Sequence, residues 1–231
     1  MHITVSKEAI LVLIKFRVRG ALRYICHAEM LKVFQRACAR AGIKIQHSQG
    51  FNPRPRLSLP LPRPVGIESD DDLLCLRCSM LDGRSDLCDS VKTALSKQLP
   101  EGCELLSVEV PEAKSAPQPR CVTYILSLRP EYADDRLKET IKHLSERKHI
   151  IVERKIDAEK LKIENRKSKI KEVNVRPFLK SIELDDRGVI VECKFTSAGS
   201  IRVDEILKLL EIDVEKLTAP IKRTNVQWQK V

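Results

Sequence analysis

Apolar and polar residues alternate near the start of the chain, as in a β-strand with one buried face. Over residues 10–19 the apolar side chains are separated by the cations Lys15, Arg17 and Arg19, which predicts a strand whose outer face is basic. The spacing then changes to three and four residues over 27–41, which predicts an amphipathic helix that ends at Gly42. Residues 43–47 alternate again and predict a short second strand.

The following residues repeat this order of elements. Residues 72–80 and 103–110 predict two further strands, and a helix capped by Asp82 or Ser85 runs between them to Leu99. The first half therefore reads β-α-β-β-α-β, the order of a ferredoxin-like fold.

The second half has a similar but looser pattern. Residues 111–120 contain three prolines without apolar periodicity, and we interpret them as a linker. The predicted elements beyond it are a strand at 124–128, a helix at 134–147, a strand at 150–156, a hairpin of 176–184 with 189–195, a short helix capped by Ser200 and a strand at 221–228. The charged residues 157–174 fit either a solvated helix or an insert. We predict an α+β protein of two ferredoxin-like halves in tandem, residues 1–110 and 121–231.

Charge is distributed unevenly between the two ends of the sequence. Residues 1–66 hold twelve Lys or Arg and two acids, whereas the remaining 165 residues hold 30 of each kind. The whole net charge of +10 therefore lies in the first 66 residues. Such a field attracts polyanions, among them nucleic acids. The alternative is a basic face that only aids solubility.

The sequence HSQGFNPRPR, residues 47–56, is the most distinctive stretch of this basic region. Its prolines fix the backbone, and two arginines two residues apart project the same way in an extended chain. Phe51 could stack on a base, or it could be a core residue of a loop that only turns the chain. For His47 we expect a half-buried position. The candidate anion- or RNA-binding residues are Arg17, Arg19, Arg23, His27, Lys32, Arg36, Arg40, Ser48, Gln49, Phe51, Asn52, Arg54, Arg56 and Ser58.

Other chemistry finds little support in the sequence. The eight cysteines read as reduced thiols, and the pair Cys75 and Cys78 has no second pair with which to hold zinc. We predict no metal, no cofactor and no catalytic residue. Since the sequence has neither a membrane span nor the pattern of a signal peptide, we expect a cytoplasmic protein.

Three stretches carry a resemblance to a known family: Arg23-Tyr24-Ile25-x-His27, the residues from Ser48 to Ser58, and Pro64-Val65-Gly66. They resemble the radical-SAM-linked protein family, a bacterial domain of unknown function associated with cobalamin-binding radical-SAM proteins. The resemblance implies a separately encoded radical-SAM partner and no settled activity. Cys26 stands where serine is usual, and Arg54 where histidine is common. Because arginine stays protonated, Arg54 can bind an anion but cannot shuttle protons.

We therefore expect an accessory module that binds RNA, with tRNA as the candidate, and that acts with a radical-SAM protein. A second hypothesis is an RNA-modifying enzyme built like a pseudouridine synthase, which needs a catalytic aspartate near the basic residues. Asp70, Asp71 and Asp72 are the first available. A third hypothesis is a protein-interaction scaffold whose basic face meets an acidic partner.

Overall fold

The chain divides into two compact units. The computed structural model describes residues 9–79, 87–113, 115–156 and 169–229. The first unit comprises residues 1–120 together with 220–231, and the second comprises residues 121–219. The chain therefore returns to the first unit at its C-terminal end, whereas the sequence pattern assigned this last strand to the second half.

Ten strands and four α-helices are found in the described residues. In chain order they are β1 (Ala9–Val18), α1 (His27–Arg40), β2 (Leu57–Ser58), β3 (Glu68–Ser79), α2 (Leu87–Ser96), β4 (Cys103–Glu109), β5 (Gln118–Leu126), α3 (Asp135–Glu146), β6 (Ile151–Ile156), β7 (Lys169–Asn174), β8 (Leu179–Asp185), β9 (Gly188–Lys194), α4 (Val203–Leu209) and β10 (Lys222–Gln229).

The sheet of the first unit is built around β3. Strand β1 pairs antiparallel with β3 on one side and with β4 on the other. The free edge of β3 is shared by two short partners. At one end Glu68 and Ser69 pair in parallel with β10, and at the other end β2 pairs antiparallel with Cys75 and Leu76. The sheet is therefore mixed.

Alternation along β1 separates the two faces of this sheet. Phe16 lies on the face covered by α1 and α2, where its ring meets the ring of Phe34 edge-on at a centroid distance of 4.7 Å. Leu11 and Leu13 lie on the opposite face with Leu73. The period-two pattern correctly grouped Ile14, Phe16 and Val18 on one buried face, whereas residues 11–14 are buried on both faces of the sheet.

In the second unit, β9 pairs antiparallel with β5 and with β8. A separate hairpin is formed by β6 and β7. The side chain of Asp134 caps α3 by accepting a hydrogen bond from the N–H of Leu137 at 2.9 Å. Arg154 of β6 holds Glu205 of α4 in a two-pronged ion pair, with N···O distances of 2.7 and 2.9 Å.

These observations confirm a protein of mixed α and β structure, whereas the tandem ferredoxin-like arrangement stays a prediction. The predicted strand 43–47 is wrong. Only Ile45 and His47 form isolated bridges, because residues 46–56 fold back on themselves. The caps predicted for α2 and residues 157–168 lie outside the described residues. No described helix is long and apolar enough to cross a membrane.

Candidate nucleic-acid interface

Residues 46–56 form a narrow loop that leaves the edge of β3. The N–H of Ser48 donates to the carbonyl of Arg54 at 2.8 Å, and the N–H of Arg54 donates back to the Ser48 hydroxyl at 2.9 Å. One step nearer the sheet, the N–H of Arg56 donates to the carbonyl of Gln46 at 2.7 Å. The loop is anchored in turn to Arg77 of β3 through both of its backbone groups. Five residues, 49–53, remain as its tip.

One glycine and two prolines determine the conformation of this loop. Gly50 has φ +133°, a conformation that side-chain-bearing residues rarely adopt, although there is open space where a Cβ would stand. Pro53 and Pro55 fix φ on the returning limb. A stiff loop loses little conformational entropy when it binds a ligand.

Phe51 projects from the tip into solvent. Its relative exposure is 106%, the largest among the described large apolar residues. The interpretation of Phe51 as a core residue is therefore wrong. The prolines do not merely end a strand either, because they lie in an ordered loop that displays this ring. His47 is exposed too, and not half-buried as the alternation of residues 43–47 suggested.

Five exposed cations carry much of the positive charge of this region. They lie on α1, on the segment that follows it and on the loop itself, and we call them the unpaired cations: Lys32, Arg36, Lys44, Arg54 and Arg56. Within the described part of the chain, none of them has a carboxylate within 4.0 Å. The sequence from His27 to Ser58 contains one acid, Glu29, which is occupied by the N–H of Cys26 at 2.8 Å. Gln49, Asn52 and Ser58 are exposed nearby in sequence.

Two further cations predicted for the site are engaged by neutral groups. Arg40, at the end of α1, donates to the carbonyl of Gln98 at 2.7 Å and to its side-chain oxygen at 3.2 Å. Arg23 donates to the hydroxyl of Tyr24 at 2.6 Å, and its guanidinium lies over the Tyr24 ring at 4.3 Å. Both keep their charge, but their geometry is already set within the first unit.

The cations on and next to β1, in contrast, form ion pairs with carboxylates. Lys15 lies 3.4 Å from Asp71, and Arg17 and Arg19 each lie 3.0 Å from Asp70. Arg17 also reaches Glu104 of β4 at 3.0 Å. These side chains project from the face of the sheet opposite α1. The structure therefore does not bring Arg17 and Arg19 together with the loop, because acids distant in sequence neutralise them.

His27 also lies apart from the loop, contrary to the prediction. It begins α1 beside the Glu68 end of β3, whereas the loop is anchored near Cys78. Those two ends of β3 are about 30 Å apart at 3.3 Å per residue. The Nδ1 atom of His27 is buried and has no hydrogen-bond partner among the described residues. The helix α1, about 20 Å long, is shorter than this separation.

A buried polar network that the sequence analysis missed holds this end of the unit together. Arg223 of β10 is fully buried and donates to Asp72 at 2.5 Å and to the hydroxyl of Ser69 at 3.3 Å. Arg63 lies 3.8 Å from the same carboxylate. Its guanidinium also donates to the carbonyls of Arg23 and Ile67 at 2.8 and 2.7 Å. Burial lowers the pKa of Arg63, and Asp72 opposes this shift.

This network joins two of the three stretches that carry the family resemblance. Residues 22–25 and 64–67 supply carbonyls to Arg63, and the N–H of Gly66 donates to the carbonyl of Arg23 at 2.7 Å. These stretches therefore have a structural role at the end of the sheet. The signal in the sequence was the run Asp70-Asp71-Asp72 before an apolar strand, since charges in a buried strand require partners.

The cysteines do not form a further reactive centre in the described residues. Cys75 and Cys78 lie on opposite faces of β3, as expected for residues three apart on a strand. Burial raises the pKa of Cys38, Cys75 and Cys103 to about 12, which keeps these thiols protonated and unreactive. No group of three or more His, Cys, Asp or Glu placed to hold a metal ion occurs in the described ranges.

The chain was compared with models of known protein families. Residues 12–211 match a family described as an uncharacterized protein conserved in bacteria, DUF2344. Because the match spans most of the chain, the protein belongs to this family. A comparison with curated proteins finds no match.

Proposed function

We propose that this protein is an RNA-binding accessory module, with tRNA as its candidate ligand, that acts with a radical-SAM partner protein. The unpaired cations on α1 and the loop supply the phosphate contacts. The stiff loop supplies a fixed edge at which the RNA is positioned. The family resemblance supports the partner, and the arrangement of the first unit as a ferredoxin-like half belongs to the same proposal.

One observation carries the RNA-binding proposal. Arg54 and Arg56 stand exposed beside a fully exposed aromatic ring, whereas other arginines of the first unit are bonded to carboxylates or to other internal groups: Arg17, Arg19, Arg23, Arg40, Arg63 and Arg223. Guanidinium groups present planar forks of donors that suit phosphate oxygens. Clustered arginines without carboxylates face repulsion that an anionic ligand would relieve.

The test is fluorescence anisotropy of labelled total tRNA at 50 and 200 mM salt. If the five unpaired cations each contact a phosphate, affinity falls by about 100- to 500-fold between these concentrations. The double variant Arg54→Gln with Arg56→Gln weakens binding by about 25- to 60-fold at 0.1 M salt and lowers the salt slope by about 1.4 to 1.8. Absent binding, or binding indifferent to salt, would contradict the proposal.

A matched control removes the same charge elsewhere. Arg147 and Lys148 are exposed cations of the second unit, adjacent in sequence. The double variant Arg147→Gln with Lys148→Gln should retain tRNA affinity within about twofold, since it removes two charges but no phosphate contact. Equal losses in the two double variants would mean that only net charge matters.

The radical-SAM partner needs its own experiment. Affinity purification of the tagged protein with nuclease treatment separates a direct protein contact from one bridged by RNA. A radical-SAM protein recovered with and without nuclease supports the partnership. Recovery of an acidic partner through the unpaired cations, with no RNA at any step, favours the scaffold hypothesis.

The positions of Asp71 and Asp72 give little support to the hypothesis of an RNA-modifying enzyme. Such an enzyme needs an aspartate close to the cations that bind RNA. Asp71 accepts the N–H of Val226 at 2.9 Å and Asp72 is paired with Arg223, at the end of β3 away from the loop. These carboxylates are occupied in holding β10 to the sheet.

A further inference from the structure

A groove lies between α1 and the loop, next to the unpaired cations. Its volume is about 270 Å³. The lining residues are Gln35, Ala39, Ile43, Ile45, His47 and Pro55. Most of these side chains are apolar, and His47 contributes an exposed ring at one wall. The groove therefore offers a concave, largely apolar surface within a positively charged neighbourhood.

Phe51 adds a second apolar surface at the loop tip. Exposed apolar side chains are common and do not by themselves indicate a site. Here the ring is displayed on a loop closed by the Ser48 and Arg54 hydrogen bonds and stiffened by two prolines. The backbone thus holds the ring in water, where it gains no burial within the fold.

The charges limit what these surfaces can accept. Arg54 and Arg56 flank the ring in sequence, and Lys32 and Arg36 lie on the surface of α1 one turn from Gln35 and Ala39. A ligand with flat apolar parts and regularly spaced negative charges fits both features. In a duplex the base faces are stacked on one another, so only unpaired nucleotides expose them.

We infer that this surface recognises unpaired nucleotides of RNA, with one base stacked on Phe51 and a neighbouring base in the groove beside His47. This inference rests on the proposed function and adds the structural class of its ligand. Loops, bulges and single strands bind, whereas a continuous duplex makes only phosphate contacts. Stacking of a base on an aromatic side chain strengthens binding by about 5- to 150-fold.

The test uses three RNAs with the same number of phosphates: a blunt duplex, a hairpin with a large loop and an unstructured single strand. Each RNA is titrated against the whole protein at 0.1 M salt. We expect the hairpin and the single strand to bind about 5- to 150-fold more tightly than the duplex. A 2-aminopurine in the loop should lose fluorescence or shift its emission on binding, because its stacking changes.

Variants at position 51 separate stacking from charge. Phe51→Ala should reduce hairpin affinity by about 5- to 150-fold, the contribution of one stacked base, and leave duplex affinity unchanged. Phe51→Trp should restore the preference, because it keeps a large aromatic face. The control Tyr132→Ala removes an exposed aromatic residue of the second unit and should change nothing.

The outcomes distinguish this inference from the proposed function. If every RNA binds with the same salt-dependent affinity, RNA binding stands and the recognition of unpaired bases is overturned. If no RNA binds, both are overturned. If Phe51→Ala weakens hairpin and duplex equally, or weakens only the binding of a partner protein or of lipid vesicles, Phe51 does not stack on bases and the inference fails.

Discussion

Two basic regions of the first unit, the cations of β1 and those of α1 with the loop, look alike in sequence but differ in their surroundings. Lys15, Arg17 and Arg19 point at carboxylates of β3 and β4, delivered by the antiparallel register. Arg54 and Arg56 find no carboxylate in the part of the chain that the structure describes. The first set helps to hold a sheet together, and the second set is available to a ligand.

The difference shows that charge counted along a sequence overestimates the charge available for binding. Residues 1–66 carry a net +10, yet four of their cations are paired with acids from beyond residue 66: Lys15, Arg17, Arg19 and Arg63. The distinction between paired and unpaired cations can be tested by variants in each group.

The largest effect is expected at the buried pair of Asp72 and Arg223. Asp72→Asn leaves two buried guanidinium groups without a counter-charge, which should lower the free energy of unfolding by about 3–5 kcal/mol. Trp228 is the single tryptophan and lies on β10, so its fluorescence during urea unfolding reports this unit. Asp70→Asn, at the more exposed pair, should cost about 1 kcal/mol or less. Equal costs would remove the distinction between the buried network and the exposed pairs.

A smaller effect, with a pH signature, is expected at Glu205 of the second unit. Burial raises the pKa of this carboxyl group, but hydrogen bonds from Arg154 and from the N–H of Arg202 outweigh it and hold the pKa below its ordinary value. Because the folded-state pKa is depressed, the stabilisation is present above the unfolded value of about 4.3 and is lost as pH falls through the folded one.

The variant Glu205→Gln should therefore cost about 1.5–3 kcal/mol near neutral pH. Its melting temperature should converge with that of the unaltered protein as the pH falls through the depressed folded-state pKa of Glu205. Thermal unfolding from pH 3 to 7 measures this. Glu211→Gln, at an exposed pair with Arg136, is the control and should change stability little. A difference independent of pH would argue against the ionic origin.

The next prediction concerns tRNA binding by the two unpaired cations of α1. Lys32→Gln with Arg36→Gln should weaken tRNA binding by about 25- to 60-fold at 0.1 M salt and reduce the salt slope by about 1.4 to 1.8. Stability should hardly change, since neither side chain has an ion-pair partner among the described residues. Anisotropy titrations at several salt concentrations give the slope. An unaltered slope would restrict the interface to the loop.

The smallest effect is expected on β1. Arg17→Gln with Arg19→Gln should leave tRNA affinity within about twofold, because these guanidinium groups project from the opposite face of the sheet and are paired with Asp70. Each substitution should cost about 1 kcal/mol or less in unfolding free energy. If this pair of substitutions weakens RNA binding as strongly as those on α1, the comparison of paired with unpaired cations fails.

Several elements could be predicted because their signals are local. The alternation of β1, the three- and four-residue spacing of α1 and the helix predicted at 134–147 all appear as expected, with ends shifted by one residue. The stiffness of the loop was also local, since it follows from the prolines, which fix φ, while Gly50 permits the turn. The predicted strand 43–47 does not form. Ile45 bridges to Cys78 of β3, but His47 bridges to Pro55 within the loop.

By itself the sequence determined the local conformations, the basic character of residues 1–66 and the stiff arginine-bearing loop, because each depends on neighbours along the chain. Only the tertiary structure decided which cations remain available. Asp70, Asp71 and Asp72 reach β1 and Arg223 through strand pairing, and β10 joins β3 across more than 150 residues of chain. Pairing over such separations depends on register and burial, which no local pattern encodes.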